Sequence, residues 1–383
     1  MIHLQHKQPS LFGPNIKLLK CFGILPNINF RTNRLQNPIC GLLYVIFLLI
    51  VILLMEVYIW LHKFYIEYSQ ESYLPVIVRV ACELSGFVMF ISVVIRSYTK
   101  RKLWEKLFTE ITSVYNQQIV KETQEKKRAI LRNANLYFLI ITFLILLLYC
   151  LDIFFWQIEN RSINFILSDV YFYYNFLLSN VIGQVAIEIS YQYKYMKNAL
   201  AASEYTNTED RKKILVETKR LYLEMHKVLE TFNKLFGPIL LLMAIQCSLQ
   251  ILDFGVFLVE KVLPNLKFEY DAFFVYVIFI VLDLVWFSIT QSRCDLAKEE
   301  SLKLLLVCYD LLDNPSTMSE LQAELLMLIN QIKNRPVRFT AAEFFEIKRS
   351  TTFSIVGTTA TYFIVYVELR SNDSTWTKNN GTI

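Results

Sequence analysis

Hydrophobic residues along this chain fall into blocks of about 20 residues, separated by polar and basic segments. A segment inside a lipid bilayer must satisfy its own backbone hydrogen bonds, so blocks of this length predict membrane-spanning α-helices. Seven spans are predicted, at residues 41–60, 75–95, 136–157, 163–189, 236–258, 272–290 and 351–369. The short alternating segments typical of a transmembrane barrel are not visible, so the pattern favours an all-α membrane protein.

Lys and Arg residues are distributed unevenly between the two sides of these spans. Most of the 39 lie in four segments, 1–40, 98–135, 191–235 and 291–350. Basic loops stay on the cytoplasmic side of a membrane, so this pattern predicts a cytosolic N-terminus and an external C-terminus. The glycosylation acceptors of the form N-x-S/T, which are Asn160, Asn372 and Asn380, all fall on the side predicted to be external. G-protein-coupled receptors have the opposite orientation, which argues against that class.

The polar segments on the predicted cytosolic side have helical periodicity. In segment 319–333, four apolar residues recur every three or four positions and so share one helix face: Leu321, Leu325, Leu328 and Ile332. The segments that precede the fifth span and follow the sixth contain no helix breaker next to the span. The pattern predicts membrane helices that extend into the cytosol and bundle there.

Composition supports a membrane protein and excludes several other classes. Of the 383 residues, 54% are hydrophobic and 19% are charged, against about 45–50% and about 25% in soluble domains. No histidine lies inside a predicted span, and no H-E-x-x-H, G-x-S-x-G or P-loop motif occurs. We therefore predict no enzymatic activity, no metal and no cofactor. The net charge of +5 reflects the basic cytosolic loops and does not indicate a nucleic-acid partner.

A motif near the C-terminus carries a family resemblance. Thr361 and Tyr362 are followed by five apolar residues and then by Glu368 and Leu369. This stretch resembles the hallmark of the insect gustatory receptor family, which is a Thr-Tyr pair, five apolar residues and Gln-Phe in the last helix. The segment upstream of it is similar to the family as well. The departure is that Glu368 and Leu369 replace the usual Gln-Phe pair.

The resemblance implies a ligand-gated cation channel of four subunits, with the seventh helix of each lining a central pore. The expected pore residues are Thr361, Ile364, Val365, Glu368 and Leu369. We expect Ile364 or Val365 to form an apolar constriction. Glu368 is expected to contribute to a ring of carboxylates, an arrangement that favours the passage of cations. The alternative is that Glu368 lies at the level of the lipid headgroups as an ordinary helix end.

The same resemblance divides the chain into regions. They are a cytosolic N-terminal segment at 1–40, a six-helix transmembrane ligand-binding region at 41–290, a cytosolic helical anchor at 291–340, the pore-lining seventh helix at 341–369 and an extracellular tail at 370–383. The expected partners are a small-molecule tastant, permeant cations, the lipid bilayer and identical or related subunits. The expected location is the plasma membrane of sensory neurons.

The predicted external loops are too short for a folded ectodomain, so we expect the ligand to bind between the helices. Such pockets combine aromatic walls with a few polar groups. Candidates in the outer halves of the spans are Arg79, Glu83, Asp152, Phe155, Trp156, Tyr173, Gln250, Asp253, Tyr276, Asp283 and Trp286, with Asp169 and Asn175 beside them. Asp283 and Trp286 together suit a polyol, because the carboxylate accepts hydroxyl hydrogens and the ring covers a C–H face. A sugar or a bitter compound is the expected ligand.

Several of these candidates also have a purely structural interpretation. Arg79 and Glu83 are four residues apart and can pair across one helical turn. Trp156 and the tyrosines of segment 171–174 are typical of an aromatic belt at the membrane interface. Glu56, near the outer end of the first span, is expected at the same interface.

Two other functions stay open on the sequence. An odorant receptor subunit of the same superfamily shares the predicted topology and channel architecture but requires a co-receptor. A small-molecule transporter is the second alternative, although the chain shows no internal repeat of the kind common in transporters.

Overall fold

The computed structural model shows a chain built from long helices. It describes residues 16–26, 28–29, 34–35, 38–66, 73–117, 140, 142–143, 147, 150, 162–205, 207–259, 270–313 and 319–380. The helices are α1 (Ile16–Cys21), α2 (Pro38–Ile66), α3 (Tyr73–Thr99), α4 (Arg101–Gln117), α5 (Ser162–Ala202), α6 (Thr208–Phe257), α7 (Tyr270–Asp313), α8 (Ser319–Asn334) and α9 (Arg349–Asn380), with a 3₁₀ turn at Ser203–Tyr205. Two antiparallel hairpins pair β1 (Ile28–Asn29) with β2 (Arg34–Leu35), and β3 (Thr340–Ala341) with β4 (Phe345–Glu346).

Five of the described helices, α2, α3, α6, α7 and α9, are long and apolar enough to cross a membrane. They contain the first, second, fifth, sixth and seventh predicted spans. The fourth predicted span lies on α5, which is not in this apolar group, and the third lies largely outside the described residues. The helical membrane architecture is therefore confirmed, and the count of seven spans stays a prediction.

Helix α5 is the centre of the bundle. Nearly every residue between positions 171 and 190 is buried, and the helix packs against α2, α3, α4, α6 and α7. Phe172 lies against Phe279 of α7, and Phe176 lies against Trp286, with ring centres 4.9 and 4.7 Å apart. A helix enclosed by protein does not need an apolar surface towards lipid. This enclosure explains why α5 carries buried Asn, Gln and Glu side chains.

Part of the N-terminal segment packs into the bundle. Leu19 and Ile24 are buried, and the ring of Phe22 lies 5.5 Å from the ring of Tyr173 in α5. Gly23, between Phe22 and Ile24, has a φ of 67°, in the left-handed region that glycine enters without steric cost. The segment that was expected to be polar and cytosolic thus contributes apolar side chains to the core.

The helices beyond the predicted spans follow the predicted periodicity. The four residues expected on one face of α8 are all buried: Leu321, Leu325, Leu328 and Ile332. Ion pairs connect these helices further. Lys219 of α6 contacts Glu324 of α8 at 2.7 Å, and Lys197 of α5 contacts Glu300 of α7 at 2.8 Å. The amphipathic pattern therefore located the core of this part of the chain correctly.

A short hairpin, β3–β4, precedes α9. Ala342 and Glu343 lie in its turn with φ of 51° and 66°, a conformation that residues with a Cβ rarely adopt. The backbone N–H of Phe344 donates to the carbonyl of Ala341 at 3.0 Å and closes the turn. The all-α prediction missed both hairpins because strands of two residues produce no detectable alternation.

Polar contacts attach this hairpin to α6 and α7. The side-chain oxygen of Asn233 accepts from the backbone N–H of Thr340 at 3.1 Å, while Lys298 and Lys348 contact Glu346 at 2.6 and 3.0 Å. Burial alone would raise the pKa of Glu346, but the two ammonium groups outweigh it and hold the pKa below its usual value. The two ion pairs of Glu346 stabilise the fold at any pH above the ordinary glutamate pKa. This stabilisation is lost as the pH falls through the lowered pKa.

Two consecutive residues of α6, Gly237 and Pro238, form the junction with this hairpin. A Cβ at Gly237 would lie 3.0 Å from two backbone atoms of the hairpin, so only glycine permits this approach. Pro238 has no N–H and leaves the carbonyl of Lys234 without its helical donor. Nη2 of Arg96 in α3 donates to that carbonyl at 2.8 Å. The proline therefore creates an acceptor through which α3 is fastened to α6.

A double-mutant cycle tests this contact. We expect Arg96→Met to lower the free energy of unfolding by about 1 kcal/mol, because the Lys234 carbonyl loses its donor. In a Pro238→Ala background the same change should cost less, because the new N–H at position 238 bonds the carbonyl within the helix. Thermal unfolding of the four purified proteins in detergent measures both costs. An equal cost in the two backgrounds contradicts the assignment.

Candidate functional site

Three helices meet at one buried carboxylate, in the half of the bundle predicted to be external. Nε of Arg79 in α3 lies 4.0 Å from Oδ1 of Asp253 in α6. The hydroxyl group of Tyr276 in α7 donates to Oδ2 of the same side chain. The rings of Phe254 and Phe257 lie 5.6 and 5.3 Å from the ring of Tyr276. A buried charge is costly unless it is paired, so these contacts tie α3, α6 and α7 together.

Helix α2 adds a second set of polar contacts. Nζ of Lys63 bonds Oε1 of Glu83 in α3, and the hydroxyl group of Tyr171 in α5 donates to Oε1 of Glu56. Glu56 and Lys63 are each only 6% exposed. Glu56 therefore faces the interior of the protein, and its expected depth at the membrane interface stays a prediction. A carboxylate within an apolar helix avoids lipid by turning towards polar groups inside the protein.

Gly86 sets the closest approach around these contacts. A Cβ at this position would lie 2.8 Å from Cδ2 of Tyr171 in α5 and 3.1 Å from Nε2 of Gln246 in α6. Real Cβ atoms essentially never come within the first of these distances. The absence of a side chain at Gly86 therefore allows α3, α5 and α6 to converge beside the polar groups.

The tyrosines of α5 do not form an aromatic belt facing lipid. Tyr171 and Tyr174 are buried, and their rings lie 6.5 and 4.6 Å from the ring of Phe90 in α3. Tyr173 is also buried and packs on Phe22 of the N-terminal segment. The belt interpretation fails for these residues because α5 is enclosed by other helices.

Asp283 lies on α7, in the middle of the predicted sixth span, and is 7% exposed. Among the described residues it has no hydrogen bond or ion pair. Trp286, one turn away, packs on Phe176, and its Nε1 has no hydrogen-bond partner. The side-chain oxygens of Gln246 and Gln250 in α6 also lack a partner. In the described part of the chain, no group of His, Cys, Asp and Glu is arranged to hold a metal ion.

The structure brings some of the sequence-predicted ligand residues together. Arg79 and Tyr276 both contact the carboxylate of Asp253. Arg79 and Glu83 were interpreted above as a pair within α3, but each contacts another helix. Arg79 lies next to Asp253 of α6, and Glu83 bonds Lys63 of α2. Several predicted residues fall outside the described residues or have no described side chain: Asp152, Phe155, Trp156 and Asp169. Whether the set binds a ligand stays a prediction.

Sequence reasoning missed four members of this region. Glu56 and Lys63 both lie in α2, and their ionisable side chains within an apolar helix were the available signal. Tyr171 and Gln246 gave no such signal, because tyrosine and glutamine in a span have many ordinary roles. Their contribution depends on where α5 and α6 face α3, which periodicity does not specify.

Helix α9 is packed only loosely on the rest of the chain. Its apolar stretch from Arg349 to Arg370 has little buried surface. The five predicted pore residues are all exposed in the single chain: Thr361, Ile364, Val365, Glu368 and Leu369. The backbone continues as a helix to Asn380 and so passes the predicted end of the span at position 369.

The main contact of α9 near its centre is with α6. A Cβ at Gly255 would lie 2.5 Å from Cδ2 of Phe363, so the phenyl ring lies directly on the α6 backbone at this glycine. Gly255 follows Asp253 by two residues. The acid that binds Arg79 and Tyr276 therefore lies next to the point where α6 touches α9.

Comparisons with known proteins place these features in a family context. A family profile described as 7tm chemosensory receptor matches residues 12–371. The chain is 28% identical over 154 residues to the putative gustatory receptor 28a of Drosophila melanogaster, a match covering 37% of this chain and 32% of that protein. It also resembles the structure of the insect olfactory receptor OR5 of Machilis hrabei in complex with eugenol. That similarity has a TM-score of 0.60 at 14% identity and covers 92% of this chain and 98% of that chain, which shows the fold.

Gly86→Ala tests the packing at the centre of the candidate site. We expect it to destabilise the protein by about 1–3 kcal/mol, because the new methyl group displaces Tyr171 and Gln246. Gly41→Ala is the matched control, since a Cβ there meets only the ring of Tyr98 at an ordinary 3.9 Å. Thermal unfolding of both variants in the same detergent gives the comparison. Equal stability of the two variants contradicts the close approach described here.

Proposed function

Since the chain belongs to the 7tm chemosensory receptor family, we propose that it is a gustatory receptor acting as a ligand-gated, non-selective cation channel. The observation that carries the proposal is the apolar helix α9, which is fixed at its start and largely uncovered along its length. Four copies of α9 around one axis give its polar residues access to water and let its apolar residues pack between subunits. Channel pores are built from such rings of side chains.

The start of α9 moves with α7 in this proposal. The backbone N–H of Arg349 donates to Oδ2 of Asp295 at 2.7 Å. Oγ1 of Thr352 donates to Oε1 of Gln291 at 2.7 Å. The first turn of α9 is thereby attached to the helix that carries Tyr276, so a displacement of α7 reaches the pore helix at its base.

A second route from the ligand site to the pore helix runs through α6. Asp253 binds Arg79 and Tyr276, and two residues later Gly255 supports the ring of Phe363. We propose that a tastant bound among α3, α5, α6 and α7 shifts α6 and so moves α9. The wider ligand set would include Glu83, Tyr173, Gln250, Asp283 and Trp286. It would also include Asp152, Phe155 and Trp156, which lie outside the residues that the structure describes.

The proposed arrangement has seven spans, a cytosolic N-terminus and an external C-terminus in the plasma membrane of sensory neurons. The basic segments and the three glycosylation acceptors support this orientation. Asn372 and Asn380 belong to the last turns of α9, and Asn160 lies outside the described residues. Antibody access to an epitope tag placed after Ile383 on intact cells tests it.

The taste role rests on the Thr361–Tyr362 motif and on the likeness to a putative gustatory receptor. The structural likeness to an olfactory receptor favours an odorant-type subunit as the second candidate. Expression of the chain alone, followed by calcium imaging with sugars and plant alkaloids, separates the two. A current that needs a co-receptor supports the odorant type, and saturable flux without single-channel steps indicates a transporter.

Glu368→Gln tests the pore. If four carboxylates line the conduction path, their removal should reduce the permeability of divalent relative to monovalent cations several-fold, because the ring no longer concentrates divalent ions. The measurement is the reversal potential under bi-ionic conditions. Glu343→Gln, which changes an exposed glutamate outside the proposed pore, is the control. Unchanged permeability ratios and unchanged divalent block remove Glu368 from the pore.

Gly255→Ala tests the contact between α6 and the pore helix. The added methyl group would lie 2.5 Å from the ring of Phe363, so that ring must move and α9 with it. We expect a changed open probability in saturating agonist with little change in single-channel conductance. Gly41→Ala serves again as control, because it leaves α9 untouched. Wild-type gating in the Gly255→Ala channel would exclude this route.

A further inference from the structure

The ionisable groups around the candidate site do not balance in charge. The cations Lys63 and Arg79 each contact an acid of another helix. Glu56 forms no ion pair with the described residues but accepts a hydrogen bond from Tyr171. Asp283 is only 7% exposed, and it has neither a cation nor a hydrogen-bond donor as a partner among the described residues. An isolated buried carboxylate is strongly disfavoured and must be neutralised, either by a proton or by a nearby cation, and a cationic ligand would supply the second.

Asp283 lies on a face of α7 that is covered by protein. Asp283 lies on the same face of α7 as Trp286, whose ring packs on Phe176 of α5. Asp283 is thus directed towards the middle of the bundle and away from lipid.

The other unsatisfied polar atoms in this region are mostly acceptors. They are Oδ1 of Asn175, Oε1 of Gln246 and Oε1 of Gln250. Among the described residues of this region, the unsatisfied groups that can donate are the indole N–H of Trp286 and the hydroxyl group of Tyr174, which can also accept. A site with several free acceptors and one free carboxylate is complementary to a ligand that donates hydrogen bonds and carries positive charge.

We propose that the tastant carries a protonated amine and that Asp283 is its counter-ion. This inference rests on the proposed function and specifies its ligand class. A sugar supplies hydroxyl donors but leaves the charge of the carboxylate uncompensated, whereas an ammonium group supplies both donors and charge. The rings of Phe176 and Trp286, 4.7 Å apart, add aromatic faces that attract a cation. An alkaloid-like amine therefore fits these groups better than the polyol that the sequence suggested.

Binding to purified protein in lipid nanodiscs tests the ligand class directly. Nicotine and quinine, protonated at neutral pH, are compared by calorimetry with cotinine, sucrose and trehalose, which are neutral. We expect the amines to bind and the neutral compounds to bind at least about 30-fold more weakly. Sugar binding that exceeds amine binding, or no amine binding at all, overturns the proposal.

Asp283→Asn is the variant that isolates the charge. We expect amine affinity to fall by about 30-fold or more, and Asp283→Glu to retain most of it. Asp310→Asn, an exposed acid further along the same helix, should bind amines like the wild type. Equal amine affinity in Asp283→Asn and the wild type overturns the proposal.

A stability measurement excludes a merely structural role. Asp283 has no partner to lose in the described residues, so Asp283→Asn should unfold at the same temperature as the wild type or higher when no ligand is present. A clear fall in that temperature assigns Asp283 to an internal contact and overturns the proposal.

The two proposals fail in different ways. Amine binding without any ligand-evoked current keeps the counter-ion assignment and contradicts the channel function. A ligand-evoked current that is indifferent to ligand charge and to Asp283→Asn keeps the channel and contradicts the amine assignment.

Discussion

A charge or a free backbone carbonyl inside an apolar environment must find its partner within the protein, and this requirement organises the whole bundle. It turns Lys63 of α2 towards Glu83, and it joins Arg79 of α3 to Asp253 of α6. It also explains the opposite end of α3, where Arg96 bonds the carbonyl that Pro238 leaves without a donor. Helix α3 is therefore held to its neighbours by polar contacts at both ends.

Helix α6 connects the candidate ligand site to the last helix at two levels. Near its C-terminal end it carries Asp253 and, two residues on, Gly255 under the ring of Phe363. Near its middle Gly237 admits the hairpin that leads into α9. Both contacts depend on glycine, because a Cβ would separate the surfaces. A small rotation or shift of α6 is thus passed to α9 at two points, which gives the proposed gating a mechanical basis.

Local periodicity was sufficient for much of the architecture. The apolar runs located five membrane-length helices, and the spacing of Leu321, Leu325, Leu328 and Ile332 identified the buried face of α8. Sequence patterns gave the wrong orientation of side chains where a helix is surrounded by protein instead of lipid. The tyrosines of α5 were interpreted as an interfacial belt, but α5 is enclosed, so its aromatic and polar residues face protein. Short hairpins escaped because two-residue strands have no period.

The sequence by itself determined the helical membrane class, most of the span positions and the resemblance of the last helix, because length, hydrophobicity and motif spacing are properties of adjacent residues. Only the tertiary structure decided which charges meet. Lys63 and Glu83 are 20 positions apart, and Glu56 and Tyr171 are 115 apart. Such contacts depend on the rotation and depth of whole helices, which are set by packing over many residues. The same packing leaves Asp283 buried with no hydrogen bond or ion pair to any residue that the structure describes, a feature that no local pattern reveals.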